Sequence, residues 1–347
     1  MTKLYDVMAA GIAAVDELLY VSEYPPLNCK VPIHINARHG GGPACTAIAA
    51  VGALHGRAAY VARLDSGELS NYIRSALHDR HVNITHIVHD ADGGPYHSRI
   101  VIDAAGHRNV FYDASRYRVI QPDHLPDALI QSASVFLLDH ITEPSLLPLA
   151  EKVHRLGVPI LADIEGHSES ALALAAIADF LIVPAEFASW ATGESNPAAA
   201  CGRLAQTQRL ATVVTSGADG CRYSIRPAGP VQHKPAFSVE AFDTTGCGDT
   251  FHGAFALAVA RRLAIDDAIT FATAAAALKA SAASGKHRGW DALPGLEDVF
   301  LFLRTRTREP KRASLLMRLE ALRSPTQPSG SDCELKRISD LPKGHFS

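Results

Sequence analysis

The chain has 347 residues, of which 47% are hydrophobic and 20% charged, and its formal net charge at pH 7 is -3. This composition is ordinary for a globular protein, and the small net charge gives no reason to expect a nucleic-acid or membrane partner. The length allows two domains or one large α/β domain. We expect no signal peptide at the N-terminus and no membrane span, because no apolar run is long enough.

Early in the chain, apolar runs predict several short strands and two helices. A glycine turn at 39–43 separates the strands at 5–11, 18–21 and 30–37 from the first helix. We place the helices at 44–54 and 69–78 and a further strand at 58–62. Two alternating segments around Ala105 predict a hairpin formed by 96–103 and 108–112.

From residue 134 onward, strand-like and helix-like segments alternate, which predicts a mostly parallel sheet with helices on both faces. The predicted strands are 135–138, 158–163, 180–183, 213–216 and 222–225. The predicted helices are 146–156, 171–176, 248–262 and 267–283. We interpret the early segments 16–37 and 96–112 as a small β-sheet lid inserted in one domain, 1–303. Residues 304–347 are rich in arginine and turn-forming residues, so we expect a basic, solvated C-terminal tail.

Six cysteines are scattered through the sequence, at Cys29, Cys45, Cys201, Cys221, Cys247 and Cys333. No pair has the spacing of zinc ligands, and none forms a C-x-x-C motif. Free thiols in a reducing cytoplasm are the simple expectation. The histidines between His78 and His89 also follow no zinc pattern, and we expect them at the surface.

The strongest chemical signal is the segment from Asp243 to Asp249, which places two glycines directly before a predicted helix. Glycines allow a tight turn, and N–H groups at a helix N-terminus bind anions. Asp249 at that position would repel a phosphate unless it accepts a proton from an attacking hydroxyl, as phosphoryl transfer requires. In the alternative interpretation, Asp249 is only a first-turn acid and the glycines form a plain loop.

The segment Asp243-Thr244-Thr245-Gly246-Cys247-Gly248-Asp249, followed by Thr250-Phe251-His252-Gly253, resembles the C-terminal signature of the PfkB carbohydrate kinases. Cys247 stands where that signature usually has alanine. The resemblance covers roughly residues 4–300. It implies a ribokinase-like fold, ATP and Mg²⁺ as cofactors, and phosphorylation of a sugar hydroxyl. It also implies that Asp249 is the catalytic base and that the N–H groups of Gly246, Cys247 and Gly248 form an anion hole.

Further residues are assigned by the same resemblance. Gly40-Gly41-Gly42-Pro43-Ala44 is similar to the family's N-terminal signature, and Asp16 matches an aspartate that binds sugar hydroxyls. Thr215, Gly217 and Gly220 lie in a segment that resembles the strand and turn on the nucleotide side of the family's active site. Arg99 lies in a polar, basic lid segment that favours a sugar substrate. Lys30 matches the region of a lysine that binds an anionic group in the sulfofructose kinase branch of the family, although we do not assign this chain to that branch. A solvated surface lysine is an equally good interpretation of Lys30.

The resemblance also implies ions and a partner. A monovalent cation, potassium, is expected at Asp243, Thr245, Ala280, Ala283 and Gly285. The family's Asn-x-x-Glu motif, which is associated with magnesium, is absent from this sequence, and Glu186 is the candidate magnesium residue in its place. An exposed lid sheet has open edges to cover, so a homodimer through the lid is expected.

Two other functions remain open from the sequence alone: a nucleoside kinase of the same fold and a non-catalytic sugar-binding module. An intact Asp249 argues against the binding module, which needs no base. A polar lid, rather than an aromatic one that stacks a nucleobase, favours sugar over nucleoside.

Overall fold

Continuous apolar stretches form parallel strands here because helices cover both faces of the sheet that they build. The computed structural model describes residues 3–105, 107–140, 145–205, 208–225, 229–281, 288–306 and 311–323. Its strands are β1 (Tyr5–Ala10), β2 (Ala14–Tyr20), β3 (Ile35–Gly41), β4 (Ala58–Val61), β5 (Arg63–Leu64), β6 (Val82–Asn83), β7 (Val88–His89), β8 (Tyr96–Ile102), β9 (Arg108–Asp113), β10 (Ala133–His140), β11 (Ile160–Ile164), β12 (Phe180–Pro184), β13 (Ala211–Thr215), β14 (Cys221–Ile225) and β15 (Gln232–Lys234). Its helices are α1 (Pro43–Ala53), α2 (Glu68–His78), α3 (Asp127–Gln131), α4 (Leu147–Arg155), α5 (Glu169–Ile177), α6 (Ala185–Thr192), α7 (Pro197–Leu204), α8 (Cys247–Ala260), α9 (Ile265–Ala280), α10 (Leu296–Arg306) and α11 (Lys311–Leu319).

Within the described ranges, nine strands form one large sheet in the order β15-β14-β13-β12-β11-β10-β1-β4-β6. The pairs from β13 to β6 are parallel, and β14 and β15 extend the sheet antiparallel. Every residue of β1 and β11 is buried, as expected for strands covered on both faces. The predicted mostly parallel sheet is confirmed.

Side chains of β1 alternate between two hydrophobic clusters, one on each face of the sheet. Val7 and Ala9 belong to the cluster that α1, α8, α9 and α10 cover. Met8 and Ala10 belong to the cluster that α4, α5, α6 and α7 cover. The helices therefore enclose the sheet as the alternating pattern predicts.

A separate four-stranded sheet, which we call the small sheet, has the order β3-β2-β8-β9. Strands β2 and β8 are parallel neighbours, and β8 and β9 form the predicted hairpin. The predicted strand at 30–37 is wrong in its first half, because β3 begins only at Ile35 and continues to Gly41. Pro32 cannot donate a ladder hydrogen bond, and residues 27–34 are exposed.

The glycine turn predicted at 39–43 is shorter than expected. Gly40 and Gly41 extend β3, and only Gly42, with φ of 86°, has the left-handed backbone that reverses the chain. A Cβ on Gly42 would also lie 2.3 Å from the carbonyl oxygen of Ile12. Glycine is required at this position by both its backbone angle and its close neighbour.

Residues 311–323 do not form a solvated tail, so that expectation is wrong for them. Leu315, Leu319 and Leu322 are buried in the cluster that contains α8 and α9. Arg318 of α11 binds Asp267 of α9, with nitrogen–oxygen distances of 2.5 and 2.8 Å. The apolar stripe of α11 thus adds to the core, while residues 307–310 and 324–347 of this segment lie outside the described residues.

Among the described cysteines, Cys29, Cys45, Cys201, Cys221 and Cys247 are free thiols, as predicted. In the same ranges, no helix is long and apolar enough to cross a membrane.

Candidate active site

Parallel strands β10 and β11 place two aspartates side by side near their carboxyl ends, where ligands bind in open α/β sheets. Asp139 and Asp163 are register partners, and each is 2% exposed. The Asp139 carboxylate accepts hydrogen bonds from the N–H groups of Ile12 at 2.9 Å and Ala44 at 3.0 Å. Burial raises the pKa of Asp139 to about 6, and these bonds oppose that shift. Asp139 therefore ties the end of β1 and the start of α1 to the sheet.

The predicted anion cradle lies at the start of α8. Gly246 caps the helix with φ of 74°, a left-handed conformation that favours glycine. The Cys247 N–H donates to the carbonyl oxygen of Thr244 at 3.2 Å, so it already has an acceptor within the turn. A Cβ on Gly248 would meet no atom within 4 Å. The open side of the cradle is therefore at Gly248.

Asp249 lies in the first turn of α8, partly exposed. Its pKa is raised well above its ordinary value, first by removal from water and then by the neighbouring carboxylates of Asp163, Glu165, Asp139 and Asp16. Both effects disfavour the charged form of a carboxylic acid. A carboxylate with a raised pKa accepts a proton more readily, which suits a general base.

Asp16 of β2 faces Asp249 across one pocket. Gly40, Gly42 and Gly246 also line this pocket, whose volume is about 40 Å³. Burial raises the pKa of Asp16 to about 6, and a hydrogen bond with Ser98 opposes the shift. The structure thus brings Asp16, Gly40 and Gly42, which were predicted for the sugar side, together with the predicted base.

Gly40 and Gly41 leave room for two neighbouring side chains because they have none of their own. A Cβ at Gly41 would come 2.0 Å from Oδ2 of Asp16, and one at Gly40 would come 2.6 Å from the ring of Trp290. Trp290 in turn donates from Nε1 to Oγ1 of Thr46 at 2.9 Å. Two glycines therefore let β3 pass directly beside Asp16 and Trp290.

Lys30 and Arg99 are not brought to this pocket. Lys30 is exposed in the segment before β3. Arg99 is exposed on the face of the small sheet opposite Ser98, where its Nε lies 3.5 Å from Oε2 of Glu17. Their predicted contacts with substrate find no support in this arrangement.

The nucleotide-side residues lie at the end of β13 and the turn that follows it. Thr215 Oγ1 donates to the carbonyl oxygen of Val183 at 3.4 Å. Gly217 and Gly220 have φ of 54° and 83°, and a Cβ on Gly220 would lie 2.0 Å from the Lys234 carbonyl oxygen. The glycines explain the tight turn, while nucleotide binding there stays a prediction.

The predicted monovalent-cation site is described only in part, because Ala283 and Gly285 lie outside the described residues. Oδ1 of Asp243 accepts a hydrogen bond from the Thr245 N–H at 2.9 Å, whereas its buried Oδ2 has no hydrogen-bond partner in the described chain. The Ala280 carbonyl oxygen already accepts the Phe242 N–H at 2.8 Å. One carboxylate oxygen is therefore available to a positive charge.

Glu186, the predicted magnesium residue, is exposed in the first turn of α6. Asp163 offers a different oxygen: its Oδ2 is buried without a hydrogen-bond partner among the described residues. Its Oδ1 lies 3.4 Å from Nε2 of His252, and its pKa is raised well above the ordinary value by burial and by Glu165. Sequence reasoning missed Asp163, although it ends a predicted strand.

Lys279 and Trp290 are two further pocket residues that the sequence analysis missed. Lys279 is 1% exposed, although it lies at the end of a helix otherwise rich in alanine. A charged residue inside such an apolar run is the signal that could have found it, because buried lysines are rare. The sequence around Trp290 gives no signal of its position, because its hydrogen-bond partner Thr46 is more than 200 residues away in the chain.

A helix N-terminus framed by glycines, facing carboxylates at the end of a parallel sheet, is an arrangement of the phosphoryl-transfer class. Comparison with known proteins agrees, since residues 6–289 match the model of the pfkB family carbohydrate kinases. The chain belongs to this family.

Its relatives and structural neighbours carry related names. The chain is 26% identical to a ribokinase of Arabidopsis thaliana, over 63% of this chain and 61% of that protein. It is 22% identical to a ribokinase of Staphylococcus aureus, over 84% of this chain and 98% of that protein. Among solved structures, a putative ribokinase from Agrobacterium tumefaciens has a TM-score of 0.75 and 25% identity, covering 86% of this chain and 97% of that one. The ribokinase-like fold is thereby confirmed.

Proposed function

We propose that this chain transfers the γ-phosphoryl group of ATP to a hydroxyl of a sugar or sugar derivative. The observation that carries the proposal is that Asp16 and Asp249 line one pocket at the glycine-framed N-terminus of α8. Family membership supports it, and so do the ribokinase and fructokinase names of the relatives. A solved Arabidopsis thaliana ribokinase, 20% identical, is described as a complex with ribose and ATP.

In the proposed reaction, Asp16 holds the sugar and Asp249 accepts the proton of the attacking hydroxyl. The oxygen then forms a bond to the γ-phosphorus as the bond to the β-phosphate oxygen breaks, leaving ADP. N–H groups at Gly246 and Gly248 face the charge on the transferring group, and fixed donors of this kind lower the barrier. Because the Cys247 N–H is engaged with Thr244, we assign it a supporting role in the turn.

Magnesium would accompany ATP, where it neutralises phosphate charge. Among the residues present, Asp163 has the buried free oxygen that suits a hard cation, and Glu165 lies near enough to affect the pKa of Asp163. We propose these two residues for magnesium alongside the predicted Glu186. Potassium at Asp243, Thr245 and Ala280 would share the Asp243 carboxylate with Lys279, whose ammonium lies 3.9 Å away.

We also propose a homodimer through the small sheet and a cytoplasmic location. Strand β9 lies at the edge of that sheet, and its apolar residues Val110, Phe111 and Tyr112 are 49–56% exposed. Exposed apolar strands at a sheet edge favour pairing with another chain. The free buried thiols of Cys45, Cys201 and Cys221 suit a reducing compartment.

The test is ATP-dependent ADP release with a panel of ribose, fructose, sugar acids and nucleosides. We expect Asp249→Asn to keep the fold and ATP binding while kcat falls by ~10²–10⁴-fold, the usual contribution of a general base. Glu169→Gln, which changes an exposed first-turn acid of α5, is the matched control and should leave kcat unchanged. A near-normal kcat in Asp249→Asn would remove the base assignment, and turnover of nucleosides alone would favour the nucleoside kinase.

A further inference from the structure

Lys279 is a buried cation in the wall of the proposed active site. It lies in the last turn of α9 and is 1% exposed. Lysine is almost never fully buried unless it is paired. Its ammonium is buried and nevertheless has no hydrogen-bond partner among the described residues.

The ammonium faces the turn that holds the phosphate cradle. Nζ of Lys279 is 3.9 Å from Oδ2 of Asp243, the oxygen that also lacks a hydrogen-bond partner in the described chain. Its Cε is 3.9 Å from the position that a Cβ on Gly246 would take. Lys279 therefore contacts the turn from Asp243 to Gly246 and lines the pocket that contains Asp249.

Several carboxylates lie around this ammonium: Asp16 and Asp249 line the same pocket, and Asp243 is 3.9 Å away. Asp16, Asp163, Glu165 and Asp139 all raise the pKa of Asp249 by their negative charge. Among the described residues that line the pocket, Lys279 is the only lysine or arginine. A free potassium ion would have to bind Oδ2 of Asp243 beside an ammonium of the same sign, which opposes its binding.

We propose that the Lys279 ammonium is the fixed cation of this site, replacing the monovalent ion predicted from the sequence. It balances Asp243 and holds the Gly246 turn in place, and with it the N–H groups that would meet the transferred phosphoryl group. This proposal rests on the proposed kinase function. It predicts that turnover of the native chain does not depend on potassium.

The first test uses the native chain with its sugar substrate and ATP. Its kcat in potassium-free buffer with choline chloride should equal the value after potassium chloride is added at matched ionic strength. A severalfold stimulation by potassium would overturn the proposal without any variant.

The second test uses Lys279→Met, which keeps the length of the side chain and removes its charge. We expect kcat to fall by ~10²–10³-fold, the usual effect of removing one group that stabilises the transition state. Potassium or ammonium should restore part of that activity in this variant but not stimulate the native chain. Lys234→Met is the matched control, because that part-buried lysine binds Asp266 and Thr270 outside the pocket. Unchanged kcat in Lys279→Met would overturn the proposal.

A third measurement separates this proposal from the kinase assignment. Thermal unfolding of both proteins is followed in choline and in potassium chloride without substrate. Potassium should raise the melting temperature of Lys279→Met and leave that of the native chain unchanged. That result supports the fixed cation even if no sugar is turned over, whereas equal shifts in both proteins contradict it. If Lys279→Met does not fold, Lys279→Arg is used instead because it keeps the charge. Lys279→Arg should fold, and its turnover should not depend on potassium. Stimulation of Lys279→Arg by potassium would contradict the proposal.

Discussion

Gly253 of α8 lies directly against the backbone of Ala47 in α1. A Cβ built on Gly253 would be 2.1 Å from the Ala47 carbonyl oxygen. Helix α1 follows the glycines at the sugar side of the pocket, and α8 carries Asp249 in its first turn. In the proposed function, the close approach of the two helices would therefore set the distance between the bound sugar and Asp249.

From this contact we expect Gly253→Ala to destabilise the protein, although glycine to alanine usually stabilises a helix interior. The added methyl group forces the two helices apart, and overpacking of this kind costs about 1–3 kcal/mol. The value of kcat/KM should fall as well, because Asp249 moves away from the sugar. Gly202→Ala in α7 is the control, since its Cβ would have its nearest neighbour at 3.6 Å. Equal melting temperatures for the two variants would contradict this account.

A second glycine variant tests the sugar side alone. Gly41→Ala would place a methyl group 2.0 Å from Oδ2 of Asp16, so the carboxylate must turn away from its position in the pocket. We expect the KM for the sugar to rise steeply and the KM for ATP to change little, as in Asp16→Ala. Steady-state kinetics with each substrate varied in turn measures both. A change confined to the KM for ATP would assign Asp16 to the nucleotide.

The pH dependence of turnover follows from the raised pKa values of two carboxylates. The pKa of Asp16 is raised to about 6 and that of Asp249 well above its usual value. In the proposed mechanism both groups act in their ionised forms, so we expect activity to be lost as the pH falls through the raised values. We expect kcat/KM to decline already near pH 6, well above the ordinary aspartate pKa of about 3.9. A profile that stays flat down to pH 5 would contradict the raised values.

Because α11 packs on the core, we expect alanine substitutions at two of its residues to change the free energy of unfolding by different amounts. Leu319 is fully buried, and Met317 on the same helix is 76% exposed. Leu319→Ala should lower the free energy of unfolding by about 2–5 kcal/mol through the cavity that it leaves. Met317→Ala, the control, should change it little. If deletion of 311–347 left the melting temperature unchanged, α11 would not be part of the folded core.

The exposed residues of β9 predict the oligomeric state. We expect Phe111→Lys to convert a dimer into a monomer, because a charge replaces an apolar side chain that is 55% exposed at the sheet edge. Light scattering after size-exclusion chromatography measures the mass of both forms. Leu301→Lys changes a residue of α10 that is 60% exposed and should keep the dimer. A native chain that is already monomeric at assay concentration would remove the proposed interface.

Local pattern predicted the parallel strands well, because strands such as β10 and β11 are continuous apolar runs. It also identified Asp249, whose flanking glycines are adjacent in sequence. It could not place Asp139, whose hydrogen bond to Ile12 joins residues 127 apart. The buried position of Lys279 likewise depends on how α9 packs, and helix propensity alone does not report it. In the C-terminal segment, the arginines suggested solvent, while the spacing of Leu315, Leu319 and Leu322 already gave one apolar face.

The contact between α1 and α8 has a consequence for synthesis on the ribosome. Nearly all of α1 is buried in the folded chain, yet α8 emerges roughly 200 residues later, about 10–40 s at ordinary elongation rates. During that interval the part of α1 that contacts α8 in the folded chain has no partner yet. Slow elongation or a pause between the two helices would prolong the interval, and a chaperone that binds short apolar segments would be needed most at that stage.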